Sequence, residues 1–229
     1  MERIDAINVL NDVSGAVHLL EGPNRIREFL RQVLRFQPVP LHSIARSTSL
    51  TVPVASALRR ELEKRKLVAR KGGIVLTEYG NSLLASVGVT KTQIPRLQSG
   101  YPFPSWLNPV VEKLDTLLSS RPTPDFSLDQ SHAETPTIAM RVAYLYEHDG
   151  MEGKELLFLG DDDLTSLATI IFAKEFGLQL GTVAVVDVDK RILAFIEESC
   201  NYLGCDIDTF SLDLREGIPA DLANTFDVF

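Results

Sequence analysis

Three consecutive carboxylates, Asp161, Asp162 and Asp163, follow four apolar residues and a glycine in LLFLGDDDLTS, residues 156–166. An apolar run of that length ending in glycine reads as a buried parallel strand, with the acids where the chain turns toward the next helix. Carboxyl ends of parallel strands face the crevice in which open α/β sheets bind ligands, so this crevice calls for a cation. A phosphate-cradling loop would be glycine-rich instead. Like charges packed so closely are expected to lift at least one carboxylate pKa, which suits a general base.

The elements that position these acids follow from the alternation after residue 155. Strand LLFLG, a helix over 166–176, strand VAVVD, a helix over 190–203 and a strand near 207–210 predict a parallel sheet with right-handed crossovers. Acids recur at its strand ends: GDDD after the first, Asp187 and Asp189 after the second, Asp213 after the third. An acid after the second strand suits a bidentate grip on ribose hydroxyls, and three strand ends in register point to a nucleoside. FDVF, residues 226–229, reads as the opening of a fourth strand, so the chain is expected to be a fragment, with its Rossmann-like sheet incomplete.

The segment DQSHAETPTIAMRVAYLYE, residues 129–147, starts polar and turns helical after Pro136. As a lead-in to the first strand it can reach the strand ends, which makes Asp129, Gln130 and Glu134 candidate substrate ligands. Residues 89–128 are proline-rich and read as a connector carrying one helix over 106–118, with Pro109 in its first turn, bridging the domains.

Residues 1–88 carry a net charge of +5 and residues 89–229 a net charge of −13. The basic part shows a helix over 5–20, a second capped by Asn24, helix-turn-helix spacing over 41–66, a hairpin around Gly72-Gly73 and a closing helix over 78–87, the order of a winged-helix domain. Its basic residues Arg59, Arg60, Lys64, Arg65, Lys66, Arg70 and Lys71 are interleaved with Glu61 and Glu63, and the helix over 52–66 has no Asn or Gln to read base edges. Nucleic acid is therefore not the expected partner; a homodimer joined through this domain is. The expected domains are 1–88, the connector 89–128, and 129–229. Cys200 and Cys205 have neither zinc-ligand nor disulfide-framework spacing. His18, His42, His132 and His148 form no ligand pair, so no metal is expected and no chemistry is assigned to them. No apolar run approaches the ~20 residues that span a bilayer, and the N-terminus lacks a signal pattern, so the expectation is a cytoplasmic protein away from membranes.

The strand order resembles the S-adenosylmethionine-dependent methyltransferase fold, yet three carboxylates beside that cofactor's own carboxylate would repel it. Decarboxylated S-adenosylmethionine removes the objection. It carries a sulfonium and an ammonium, and it donates an aminopropyl group to an amine, so an acidic rim suits both reactants. LLFLGDDDLTSLA, with VAVVDVD behind it and DLREGIP further on, resembles the branched-chain polyamine synthases, aminopropyltransferases with a winged-helix domain and a GDDD signature. The resemblance runs from the winged helix through DQSHAETP to the third strand. It implies aminopropyl transfer from decarboxylated S-adenosylmethionine, a co-substrate rather than a cofactor, to the secondary nitrogen of spermidine. A second transfer gives a branched N4-bis(aminopropyl)spermidine, and methylthioadenosine is the by-product. The GGGDGG loop of linear spermidine synthases aligns its Asp with Asp163, which implies that Gly160 and Asp163 hold the donor. Asp161 and Asp162 replace glycines there, and one of them is expected to orient and deprotonate the attacking amine. Asp187, with Asp189 beside it, matches the ribose-binding acid, and Asp213 the acid that accepts from the adenine amino group. The linear synthases carry further catalytic acids after the fourth strand, beyond the present sequence, so weak or no nucleoside binding is expected of this fragment alone. Two other readings stay open: a methyltransferase with a winged-helix dimerisation domain, and a winged-helix regulator with a nucleoside or polyamine sensor domain.

Overall fold

The computed structural model describes residues 1–95, 97, 103–220, 222–223 and 225–228. Pro102 of the expected connector and Phe229 of the expected fourth strand lie outside them. The chain divides into two compact units, residues 1–93 and 94–229.

In the first unit, α1 (Arg3–Val17) packs on α2 (Pro23–Phe36), whose Ile26, Phe29, Leu30 and Val33 recur at helical spacing and are wholly buried. Asn24 does not cap α2. The helix starts at Pro23, whose φ is already helical and which has no N–H to leave unpaired, with Gly22 at φ 75° as its N-cap. Then come α3 (Leu41–Ser47) and α4 (Val52–Lys64), followed by the antiparallel hairpin of β1 (Val68–Arg70) and β2 (Ile74–Leu76). Val39 adds an isolated bridge to Ile74 that a valine between two prolines does not announce. The order is that of a winged helix.

The closing helix, α5 (Glu78–Ser86), begins at Thr77, whose Oγ1 accepts from the Gly80 N–H at 3.0 Å and donates to the Lys66 carbonyl at 2.6 Å. Only glycine fits at position 80, because a Cβ there would lie 2.1 Å from the Leu67 carbonyl oxygen. Replacing Thr77 by alanine is expected to destabilise this unit by about 1 kcal/mol, read as a lower denaturant midpoint at unchanged slope. Part of the basic surface on and beside α4 is paired locally: Arg59 and, from β1, Arg70 pair with Glu63 at 2.7 and 3.0 Å, and Arg65 pairs with Glu61 at 2.8 Å.

The second unit has a parallel sheet in the order β3 (Leu156–Leu159), β4 (Val183–Asp187), β5 (Asp208–Ser211). On the other side of β3 the Leu157 N–H donates to the Val228 carbonyl at 2.9 Å, so the segment after β5 returns beside the first strand of the sheet. Strand order thus reverses at β3, and the crevice above such a reversal is where open sheets take ligands. The arrangement is an α/β fold built on a parallel sheet. The helix that the sequence assigns to a connector, α6 (Asn108–Leu118), contributes Val110, Leu114 and Leu118 to this unit's core, beside α7 (Thr135–Glu147) and α8 (Thr165–Phe176). Trp106, Tyr146 and Phe176 surround Phe172 with ring centroids 4.7 to 6.4 Å away. α8, packed between sheet and helices, is apolar nearly all round, whereas α9 (Lys190–Leu203) keeps a polar outer face. Among the described residues no helix is long and apolar enough to cross a membrane.

Candidate active site

β3 is followed by Gly160, whose φ of 73° is readily reached without a Cβ, and whose N–H still donates to the Val186 carbonyl at 2.8 Å. The next three residues take three different environments. Asp161 turns inward and is 3% exposed. Its carboxyl accepts from the Thr165 N–H at 2.7 Å and the Ser166 N–H at 3.2 Å, so it caps α8 in place of Leu164, which occupies the N-cap position without a polar side chain. Burial pushes the Asp161 carboxyl up to about 7, against the lowering pull of the Ser166 side chain and of those N–H groups; the Asp187 charge is the smallest contribution. The expected lift is present, but its main cause is loss of water rather than crowding of like charges.

Asp162 is half-buried and accepts from the Ser131 N–H at 3.0 Å. Asp163 accepts from the Ala133 N–H and is ion-paired with Arg141 of α7. The lead-in segment is thus tied to two members of the acidic loop by its own backbone.

At the end of β4, Asp187 is 6% exposed and receives a main-chain donor on each oxygen, the Asp161 N–H at 2.9 Å and the Asp189 N–H at 2.8 Å. Asp189 caps α9 and is gripped by Arg191 through Nε and Nη2 at 3.0 and 2.6 Å. The Arg191 hydrogen bonds hold its carboxyl down at about 2. Gln130 reaches it as well, donating Nε2 at 3.0 Å, while its Oε1 accepts from the Asp125 N–H at 2.7 Å. After β5, Asp213 repeats this arrangement: it takes the Arg215 guanidinium through Nε and Nη2 and is likewise held at about 2 by that pairing.

One cavity of about 420 Å³ lies over these strand ends. Of the residues singled out in the sequence it gathers Asp129, Gln130, Gly160, Asp162, Asp187 and Asp213, with Val186, Val188, Leu128, Leu212 and Leu214 as apolar wall. It does not gather Asp161, Asp163, Asp189 or Glu134. Asp161 is taken inward by its capping role and Asp163 is turned toward Arg141, while Asp189 supports Gln130 from behind. Glu134 is exposed and lines a separate hollow with Arg121 and Asp115.

Several residues at the site have no counterpart in the sequence reading. His132 lies between the two residues whose N–H groups hold Asp162 and Asp163, and its buried Nε2 has no hydrogen-bond partner among the described residues. Burial and the nearby Arg121 charge hold its pKa below the ordinary histidine value. The Arg121 guanidinium, its own pKa lowered by burial, adds positive potential near Asp162 and Asp163. Arg191 and Arg215 had a visible signal, an Asp-x-Arg spacing repeated at two successive strand ends.

A family model, the branched-chain polyamine synthase A C-terminal domain, matches residues 109–229. An uncharacterized protein of Methanocaldococcus jannaschii is 34% identical over 228 residues, spanning 96% of this chain and 56% of its own. The N(4)-bis(aminopropyl)spermidine synthase of the same organism is 29% identical over 185 residues, 78% of this chain and 51% of its own. The crystal structure of the branched-chain polyamine synthase from Thermus thermophilus, in complex with N4-aminopropylspermidine and 5′-methylthioadenosine, matches 99% of this chain and 63% of its own at 23% identity and a TM-score of 0.48. The chain spans about half the length of the curated relatives it matches. The matched region begins in α6 and takes in the lead-in segment, the GDDD loop and all three strand-end acids; this chain belongs to the branched-chain polyamine synthase A C-terminal domain family.

Proposed function

We propose that this protein is an aminopropyltransferase that moves aminopropyl groups from decarboxylated S-adenosylmethionine to the secondary nitrogen of spermidine, releasing methylthioadenosine. The observation that carries this reading is that Asp187, Asp213 and one carboxylate of the GDDD loop, Asp162, line one cavity with apolar walls. Asp187, fixed by two main-chain N–H groups, keeps lone pairs for the ribose hydroxyls. Asp213 accepts from the adenine amino group, and the base packs on the apolar wall. Asp162 receives the acceptor amine, and Asp129 supplies a second carboxylate for its cationic chain.

An amine that is protonated in water has no lone pair with which to attack. Asp162 takes that proton, and the freed nitrogen attacks the carbon next to the sulfonium in line with the departing sulfur. The C–N bond forms, the C–S bond breaks, and its electron pair leaves the sulfur as a neutral thioether. In a second round the acceptor is a tertiary amine, which must also be deprotonated before it attacks and ends as a quaternary ammonium. Asp161 and Asp163 hold the loop that aims Asp162. A relative named as an N(4)-bis(aminopropyl)spermidine synthase supports the choice of acceptor.

The test is to incubate the full-length protein with spermidine and decarboxylated S-adenosylmethionine and follow products by mass. Methylthioadenosine together with spermidine heavier by one or two aminopropyl units is the expected result. Consumption of S-adenosylmethionine with methylated product would overturn it.

A further inference from the structure

The pair that closes the cavity behind β5 has a chemistry of its own. Asp213 accepts from the Arg215 N–H at 3.0 Å and from Nε at 2.9 Å on Oδ1, and from Nη2 at 2.6 Å on Oδ2, with Nε shared to Oδ2 at 3.1 Å. A carboxylate offers about four lone-pair sites, so this grip uses Oδ1 fully and leaves Oδ2 with one direction open. Arg215 thereby removes the freedom of Asp213 to rotate, and the carboxylate, ionised at neutral pH in any case, is an acceptor with nothing to donate. The guanidinium is not there for packing, since its side chain is 85% exposed. Both residues line the cavity, together with Leu212, Leu214 and Val188.

We infer that Arg215 is a positioning residue that sets base specificity: by clamping Asp213 as a fixed acceptor it makes the cavity choose a 6-aminopurine nucleoside over its 6-oxo counterpart. The inference rests on the nucleoside reading of the cavity and adds to it the device that discriminates. An amino group at position 6 donates to the open site on Oδ2. An oxo group there sets an acceptor against an acceptor, and a carboxylate locked by the arginine fork can neither turn away nor supply a proton. Lysine is not equivalent at this position, because an ammonium lacks the planar two-point fork that fixes the carboxylate plane.

The experiment is calorimetric titration of the full-length protein with 5′-methylthioadenosine and with 5′-methylthioinosine. The expected result is a preference of about tenfold or more for the amino compound. In Arg215→Ala that ratio is expected to fall by at least about fivefold, chiefly through tighter relative binding of the oxo compound, and Arg215→Lys is expected to restore it only in part. Asp213→Asn, whose amide can turn either face to the base, is expected to bring the ratio close to one. If Arg215 acts through Asp213, adding Arg215→Ala to Asp213→Asn changes the ratio no further. A full additional loss in the double variant would mean that Arg215 meets the base directly, and an unchanged ratio in Arg215→Ala would mean that it has no part in specificity; either overturns the inference while the nucleoside reading stands. Failure to bind either nucleoside would overturn both.

Discussion

Asp162→Asn is expected to lower the rate of aminopropyl transfer at neutral pH by about 10²–10⁴-fold, the usual contribution of a positioned base. The substitution keeps the shape of the side chain and an oxygen for the Ser131 N–H, which holds it at 3.0 Å in the native protein, so the loop has no reason to move. What is lost is the ability to take a proton. An alkyl amine has a pKa of about 10 in water, so at pH 7 only about one molecule in a thousand arrives with its lone pair free. The wild-type rate is therefore expected to depend weakly on pH between 7 and 9, and the variant rate to climb by nearly tenfold per unit as bulk hydroxide does what the side chain no longer can. Methylthioadenosine affinity, which depends on Asp187 and Asp213, is expected to change little. Single-turnover rates at several pH values separate these outcomes. A variant within about fivefold of wild type at pH 7 would remove Asp162 from the proton step. The same substitution at Asp163 is expected to act differently, because Asp163 is bound to Arg141 and the Ala133 N–H rather than open to the cavity: a moderate rate loss without the steep recovery at high pH.

What distinguishes the three acids was beyond the reach of their sequence. Strand and helix periodicity locates GDDD at the end of β3, and the recurrence of Asp187 and Asp213 at the next two strand ends is enough to expect one shared crevice. The sheet is parallel in that order, and the cavity holds those two acids. The directions of Asp161, Asp162 and Asp163, however, depend on partners far away in the chain: α8 N–H groups for the first, the lead-in backbone for the second, Arg141 of α7 for the third. A turn has no period from which to read which side chain goes inward. Leu164 adds to the difficulty, since a leucine at φ 58° in the N-cap position is not a recognisable helix start and transfers the capping role back to Asp161. Gln130 and Asp189 were legible as polar residues near the site, but not as a strut whose amide is engaged at both ends. α6 is a different case. Proline density around residues 95–124 suggests a connector, while the buried face of Val110, Leu114 and Leu118 marks a core helix, and packing outweighs the composition of its flanks.

Asp161→Asn is expected to stabilise the protein above neutral pH, an unusual outcome for the first acid of such a loop. In the folded chain this carboxyl stands at about 7, chiefly because it is buried, against 3.8 as its ordinary value. Below pH 3.8 it is protonated in both states and its contribution to stability is fully present. As pH rises from 4 through 7 the unfolded chain ionises first, so the folded state loses ground by up to about 1.4 kcal/mol per pH unit, and by pH 8 the loss is about 4 kcal/mol. Asparagine cannot ionise. Its carbonyl can still accept from the Thr165 and Ser166 N–H groups, and its NH₂ has an acceptor within reach in the buried Ser166 Oγ beside the carboxyl. The other shifted groups leave the comparison intact. Asp189 and Asp213, both held at about 2, lose their stabilising pairing only below about pH 4. His132, lowered by burial, opposes the trend by favouring the folded state as pH rises, but equally in both proteins. Denaturant unfolding of wild type and variant at pH 4, 6 and 8 should therefore give two curves that nearly meet at pH 4 and separate steadily above it, the variant more stable. A constant gap across that range would mean that the native carboxyl is ionised throughout and that its bond to the helix end outweighs its burial.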